Sequence, residues 1–445
     1  MDSTTGVFHE SVPFHPASSP DYVPVVPLRR LQSERLRQTV SRVYEHVAFY
    51  RQRMHKHGVA PVDVHSVDDI GRLPFTTKDD LRHAYPFGMF AVPIDQVAGL
   101  HPPSGLTDKP IVLAYTRRDL EMWTEVIVRC LACCGVRRGD IIQNGCGYNL
   151  FTDGLGLHYG AERLGAVVIP ISGGDTDHQI MVMRDFGVSA ICCTPSYLLY
   201  LIERAERLGV DLRQLPLRAA VLVAEPYSEA MRARIEEAAG INAYEVYGSP
   251  EVLGLGVGAE CPCQNGLHVL EDHFFPEIVD PATGEPLPEG EEGELVLTTL
   301  SRDAMPLLRY RTGDLTAVLT DPCPCGRTLR RIRRVGRRRG EMFVIEGVEV
   351  YVSQVEAALL AVEGTLPHYQ IMLTQQEGLD QAEVRVEVTR QVLSDRVGAL
   401  ERLQHRLEQE ILRATGVAIP VRLVEPQTIE RQRGKGPRIV DTRND

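Results

Sequence analysis

Between about residue 110 and residue 250, short apolar runs alternate with longer amphipathic ones. No other feature of the chain constrains its fold so tightly. The short runs are "PIVLAYT", "DIIQNG", "AVVIPIS", "AICCTP", "AAVLVA" and "NAYEVYG", and between them lie runs such as "RDLEMWTEVIVRCLACCG" and "SEAMRARIEEAAG". Strands alternating with helices predict a mostly parallel sheet covered by helices. In such sheets ligands bind beyond the carboxyl ends of the strands, so the loops that follow the strands are where chemistry is expected.

The flanks read differently. The first 25 or so residues are polar and rich in Pro and Ser, which predicts an extended arm. Residues 31–57 have helical apolar spacing, and residues 60–95 alternate short helices with loops. Within "LPFTTKDDLRHAYP", Thr77 and Asp80 have the spacing of a helix cap. Residues 265–320 read as antiparallel strands joined by Pro/Gly/Asp turns, giving a β subdomain over about 255–335. After Gly336 come a hairpin, a helix, two strands, an amphipathic helix capped at Gly416 and a last strand "AIPVRLVEP". The expected fold class is α/β. A large N-terminal domain (1–335) carries mostly parallel, helix-covered sheets, and a small α+β domain (336–445) follows.

Composition excludes several function classes. A chain of 445 residues, 43% hydrophobic and 24% charged, buries a core without disulfide or metal staples. Its net charge of −12 argues against nucleic acid as a partner. No run approaches the ~18–20 apolar residues of a membrane span. The N-terminus lacks a basic segment followed by an apolar one, so the expected location is cytoplasmic. Ten cysteines in a reducing compartment do not imply a disulfide framework. Cys130, Cys133 and Cys134 on a helical stretch, and Cys192 and Cys193 on a strand, read as core residues. Eight arginines fall within residues 327–339. A nucleic-acid patch competes there with solvated strands whose side chains pair with acidic groups or nucleotide.

Four local motifs suit nucleotide chemistry, and each also suits an ordinary turn or tail. "HPPSGLTDKPIVLAYT" is a small-residue, hydroxyl-bearing loop before a strand, the type that wraps N–H groups around phosphates. "YGSPE" (247–251) puts an aromatic, a glycine and a carboxylate at a strand end. "RYRTGD" (309–314) fixes Asp314 at a glycine turn, where it can accept two hydroxyl protons. "RQRGKGPRIVD" (431–441) holds Lys435 in a glycine loop, where a mobile ammonium can offset charge developing at a phosphate.

The order of these motifs resembles the acyl-adenylate-forming superfamily. The longer strings "LFTDGLGLHYGAERLGAVVIPISGG", "TPSYLL", "AEPYSEAMRARIE", "GLHVLEDHFFPEIVDPATGEPLPEGEEGELVLTTL" and "PLLRYRTGDL" resemble its phenylacetate–CoA ligase family, over about residues 40–441. The resemblance implies ATP-dependent activation of an aromatic acid as acyl-AMP, then transfer to CoA. By that match Ser104, Gly105, Thr107 and Lys109 would cradle the ATP phosphates. Ala224, Glu225, Pro226, Tyr247, Gly248 and Ser249 would line the nucleotide site. Glu251 would hold Mg²⁺, and Asp314 the ribose hydroxyls, with Arg337 nearby. Lys435 would bridge the substrate carboxylate and the α-phosphate in the first step only. The C-terminal domain would then rotate about residues 336–341. Cys146, Phe151, Val223 and Ala224 map to the aryl pocket. Homodimerisation is implied by the resemblance alone.

The same resemblance implies a structural zinc. "ECPCQNGLH" and "DPCPCGR" place two Cys-Pro-Cys units about 60 residues apart. Paired thiolates with a histidine suit a closed tetrahedral site. The expected ligands are Cys261, His268, Cys323 and Cys325, with Cys263 in reserve; unligated thiols are the alternative.

Some positions depart from the family pattern. The family loop SSGTTGKP is here Pro103-Ser104-Gly105-Leu106-Thr107-Asp108-Lys109-Pro110, and Asp108 adds negative charge beside a triphosphate. The hinge pattern GRSDDM has become Gly336-Arg337-Arg338-Arg339-Gly340-Glu341-Met342. Cys146 and Val223 stand where an aromatic and a glycine are usual. These changes keep open a substituted benzoate, cinnamate or aminobenzoate as substrate. They also keep open an acceptor other than CoA: an amine, or nitrite activated to diazotise an aryl amine.

Overall fold

The computed structural model describes residues 15–101, 111–148, 152–338, 342–345, 348–376, 379–389, 397–429 and 438–443. A nine-stranded sheet dominates it. Val167–Ile169, Ile141–Asn144, Ala190–Cys193, Ala219–Leu222 and Asn242–Ser249 run parallel in that spatial order. Ala190–Cys193 and Ala219–Leu222 are buried at every position. Continuous apolar runs of this kind belong to strands covered on both faces. Beyond Asn242–Ser249 the sheet turns antiparallel through Gly254–Glu260, Leu267–Val269, Arg331–Ile332 and Val318–Leu319.

One expected parallel strand is not in this sheet. Leu113–Thr116, from "PIVLAYT", pairs antiparallel with Val97–His101. A helix follows it at once, so it reads locally like a parallel βα unit. Its partner is nonetheless the strand just before it, and local pattern does not choose partners. That helix, Arg117–Cys133, starts at a capping box between Thr116 and Asp119. It packs closely on the helix Thr152–Leu164. A Cβ built on Gly156 would lie 2.3 Å from the Trp123 ring, so only glycine permits this approach.

The antiparallel strands expected at 265–320 divide between two sheets. Phe274–Val279, Gly293–Thr299, Tyr310–Thr316 and Arg337–Arg338 form a separate four-stranded one, while the shorter strands extend the main sheet. The expected N-terminal arm is also corrected. Pro16–Tyr22 forms a 3₁₀ helix, and Asp21 is buried beneath two arginines. It accepts from Arg129 Nε at 2.9 Å and from Arg327 Nε at 3.1 Å. Arg129 in turn grips Asp272 with two bonds of 2.9 Å. Polar composition signalled an arm, and a carboxylate paired across the fold leaves no local trace.

The C-terminal residues form their own apolar core, including Phe343, Val350, Val355, Ile371, Val384 and Leu407. Thr365–Gln376 and Leu379–Val388 pair antiparallel, flanked in parallel by Ile439–Asp441 and Val421–Val424. Val352–Leu360 and Val397–Thr415 are the helices. Gly416 ends the second with φ +79°. The strand Ile439–Asp441 had no sequence signal: it is three residues in a charged tail.

Candidate active site

Asn242–Ser249 delivers Tyr247, Gly248 and Ser249 to the edge of the parallel sheet. Gly248 lies so close to the neighbouring strand that a Cβ would meet the Gly254 carbonyl oxygen at 2.2 Å. Glu251 follows in the turn and is 4% exposed. Ser249 Oγ donates to Glu251 Oε2 at 2.9 Å, and Lys78 Nζ lies 3.0 Å from Oε1. Burial pushes the Glu251 carboxyl up. The Lys78 ammonium and the hydrogen bonds outweigh it, so the group lies below the ordinary glutamate value. Buried Arg302 fixes the turn from behind. Its Nη1 donates to the carbonyls of Glu251 and Val252, both at 2.6 Å, and its Nη2 to that of Ala114 at 3.2 Å.

Asp314 stands opposite, on Tyr310–Thr316, and is 2% exposed. The Tyr247 hydroxyl donates to its Oδ2 at 2.6 Å, and Arg338 Nε lies 2.6 Å from Oδ1. Burial, then the Asp314 charge, drives the Tyr247 phenol well above its usual value, so it remains a donor. The arginine at Asp314 is therefore Arg338. The expected Arg337 pairs with Leu315 in the strand register, and its guanidinium lies 3.0 Å from Glu292. Successive strand residues face opposite sides, so a one-residue difference exchanges the partner. A cleft of about 540 Å³ is lined by Lys78, Glu251, Tyr310, Thr312, Gly313 and Arg338, among others.

Ala224 follows the strand Ala219–Leu222 with φ +68°, a conformation rare outside glycine. Such outliers cluster at functional sites. Glu225 Oε2 accepts from the Ser196 amide at 3.4 Å, and Pro226 is half-buried. Val223 and Cys146 are buried at the ends of strands two apart in the sheet. The small domain touches this edge. Glu356 accepts from the Ser228 amide at 3.4 Å and from the Tyr369 hydroxyl at 2.9 Å. Arg438 pairs with Glu356 and lies 4.0 Å from Glu225. Ser104, Gly105, Thr107, Lys109, Phe151 and Lys435 lie outside the described residues. Sequence reading missed Lys78, Arg302, Arg338 and Arg438 as site residues. Lys78, Arg338 and Arg438 lay in segments that had drawn notice for other reasons, a cap, an arginine run and the Lys435 motif, whereas Arg302 had no such signal.

The cysteine motifs converge elsewhere. Cys261, His268, Cys323 and Cys325 bring their ligand atoms within 4.8 Å of one another. Cys261 and Cys323 sulfurs are 3.6 Å apart, and Cys325 Sγ is 3.4 Å from His268 Nε2. A tetrahedron with zinc–sulfur bonds of ~2.3 Å and zinc–nitrogen of ~2.0 Å has edges of about 3.8 and 3.5 Å. The hydrogen bond with Cys261, then that with His268, holds Cys325 far below the usual thiol value. Cys263 stays outside the group and packs on the core. In the arginine run, Arg327, Arg330, Arg334, Arg337 and Arg338 each face a carboxylate. That leaves few of its cations for nucleic acid. No helix among the described residues is long and apolar enough to cross a membrane.

Comparison with known proteins agrees with this geometry. The chain matches the family of AMP-binding enzymes over residues 154–301, and the AMP-binding enzyme C-terminal domain over 347–443. It is 47% identical to a phenylacetate-coenzyme A ligase of Thermus thermophilus, over 94% of this chain and 97% of the relative. Its structure is similar to 2-hydroxyisobutyryl-CoA ligase in the postadenylation state, with a TM-score of 0.90 at 28% identity, over 98% of this chain and 95% of the other. Against that ligase in the thioesterification state the TM-score is 0.70, with the same identity and coverage. One protein in two states differs in arrangement rather than sequence, and the described arrangement is more similar to the first than to the second. With its paired Tyr247 and Asp314, its Glu251 turn and this similarity along nearly its whole length, the chain belongs to the phenylacetate–CoA ligase family of adenylate-forming enzymes.

Proposed function

We propose that this chain is an aryl-acid–CoA ligase. A substrate carboxylate attacks the α-phosphate of ATP, pyrophosphate leaves, and the thiol of CoA then captures the acyl group. The observation that carries this reading is the pairing of Asp314 with Tyr247 and with Arg338, which lines the same cleft as Glu251. A carboxylate already fixed by a phenol and a guanidinium is oriented to accept ribose hydroxyls. Glu251 offers one ionised carboxylate, which fits a magnesium ion held mainly by phosphates. Magnesium would screen the phosphate charge there as a Lewis acid.

The chain's own residues supply the rest. Ser104, Gly105, Thr107 and Lys109 hold the phosphates. Ala224, Glu225 and Pro226 border the adenine, and Arg338, rather than Arg337, stands at the ribose-binding Asp314. Lys435 neutralises the attacking carboxylate and the α-phosphate, and withdraws when the small domain turns. Cys146, Phe151, Val223 and Ala224 shape a pocket for a substituted aromatic acid. The three thiols and His268 have the donor chemistry and spacing of a closed zinc site. Such a site would pin the strands near Leu267 and Arg331 and has no open position for catalysis.

ATP–pyrophosphate exchange across a panel of benzoates, cinnamates and aminobenzoates tests the first step. CoA is then added, and thioester is sought by mass spectrometry. Exchange with thioester is expected for at least one acid. Exchange without thioester, with product formed only from an amine or nitrite, would replace the CoA reading.

A further inference from the structure

The segment around Lys78 is built with more care than a surface helix needs. Thr76 is buried. Its amide donates to the Arg309 carbonyl at 3.0 Å, its hydroxyl to the Leu308 carbonyl at 2.7 Å, and it bridges to Tyr310. Thr77 caps the next turn through Asp80. The backbone that carries Lys78 is thus welded to the strand that presents Asp314. The side chain itself is 55% exposed and extends into the cleft, with its ammonium 3.0 Å from Glu251. A fixed base with a flexible, charged tip suits a residue that changes partners.

We propose that Lys78 is a phosphate-binding cation of the adenylation step. Before nucleotide binds, it balances the charge of Glu251. When ATP binds, Glu251 would hold the divalent cation that accompanies it and so free Lys78. Lys78 then turns a few ångströms within the same cleft to the β- and γ-phosphates. In the reaction, a substrate carboxylate oxygen bonds to the α-phosphorus. The bond from that phosphorus to the bridging oxygen breaks, and its electron pair leaves on pyrophosphate. Lys78 transfers no proton; it stabilises the charge gathering on the leaving group. The inference rests on the adenylation reading above and adds a leaving-group contact to it.

The alternative is a bystander ion pair, since a half-exposed lysine contributes little to stability. Calorimetry with magnesium pyrophosphate separates the two on the intact protein. Lys78→Gln is expected to weaken pyrophosphate binding by roughly tenfold or more. In the reverse reaction, from synthetic acyl-AMP and pyrophosphate, KM for pyrophosphate rises by the same factor and KM for acyl-AMP stays constant. Transfer from acyl-AMP to CoA is unchanged, which also reports that the variant is folded. Lys78→Arg recovers most of the affinity. Pyrophosphate binding equal to that of the parent protein, with only a lowered Tm, would overturn the assignment. Absence of exchange in the parent protein would overturn both the assignment and the adenylation reading. Normal parent exchange with an unaffected Lys78→Gln would overturn the assignment alone.

Discussion

The nucleotide half of the cleft and the seam with the small domain are held by different kinds of contact. Around Tyr247, Glu251 and Asp314, groups that are nearly all buried meet at 2.6–3.2 Å. At the seam, the Ser228 amide reaches Glu356 at 3.4 Å. Arg438 stands 4.0 Å from Glu225, and His368 stands 4.0 Å from Glu203. Short, buried, charge-assisted bonds preorganise a site. The seam contacts are longer, and each contributes less than a short charge-assisted bond. The two regions thus differ in how closely their polar groups are held, the exposed tip of Lys78 apart.

That contrast can be broken most decisively at Lys435. Lys435→Ala should lower ATP–pyrophosphate exchange by about 10³-fold while sparing CoA transfer from synthetic acyl-AMP. Equal loss in both assays would mean that the terminal loop does not leave between steps. On the rigid side, Asp314→Asn should reduce kcat/KM for ATP by about 10²-fold, measured in the exchange assay. It keeps the shape but loses the charge that Arg338 and Tyr247 face. A smaller effect belongs to the seam. Arg438→Gln should slow adenylation by no more than about tenfold and leave thioester formation equal or faster, since it loosens only the first arrangement. If both half-reactions slow together, Arg438 serves the fold of the small domain instead. Chelation of zinc should be the gentlest on chemistry. It should lower Tm by roughly 3 °C, as about 2 kcal/mol would in a domain of this size, with the initial rate at 25 °C little changed. Metal content and melting curves measured together check it.

Much of this fold could be read in the chain before its structure. The parallel strands announced themselves through short apolar runs, unbroken in Ala190–Cys193 and Ala219–Leu222, and the amphipathic helix up to Gly416 because its period and cap agree. The cluster of Cys261, His268, Cys323 and Cys325 was equally legible, since Cys-Pro-Cys spacing restricts what thiols can do. What escaped were relations set only by tertiary packing. Leu113–Thr116 chose an antiparallel partner that its own residues do not specify. Arg338 displaced Arg337 at Asp314 through strand register, which a run of three arginines conceals. Lys78 lies more than 170 residues from Glu251, and nothing local to either marks the pairing. Arg302 reads as an ordinary turn residue until its three carbonyl partners are seen.

The buried carboxylate of Asp21 has a practical consequence. It sits between Arg129 and Arg327, and Arg327 lies two residues beyond Cys325. The front of the polypeptide is thereby a keystone beside the second half of the thiol cluster, Cys323 and Cys325, about three hundred positions downstream. Shortening the protein past this point would take from Arg327 its carboxylate and from Arg129 one of its two, Asp272 remaining to it, at a cost of about 3–5 kcal/mol for a broken buried pair. Proteolytic trimming that removes Asp21 is therefore expected to be harmful.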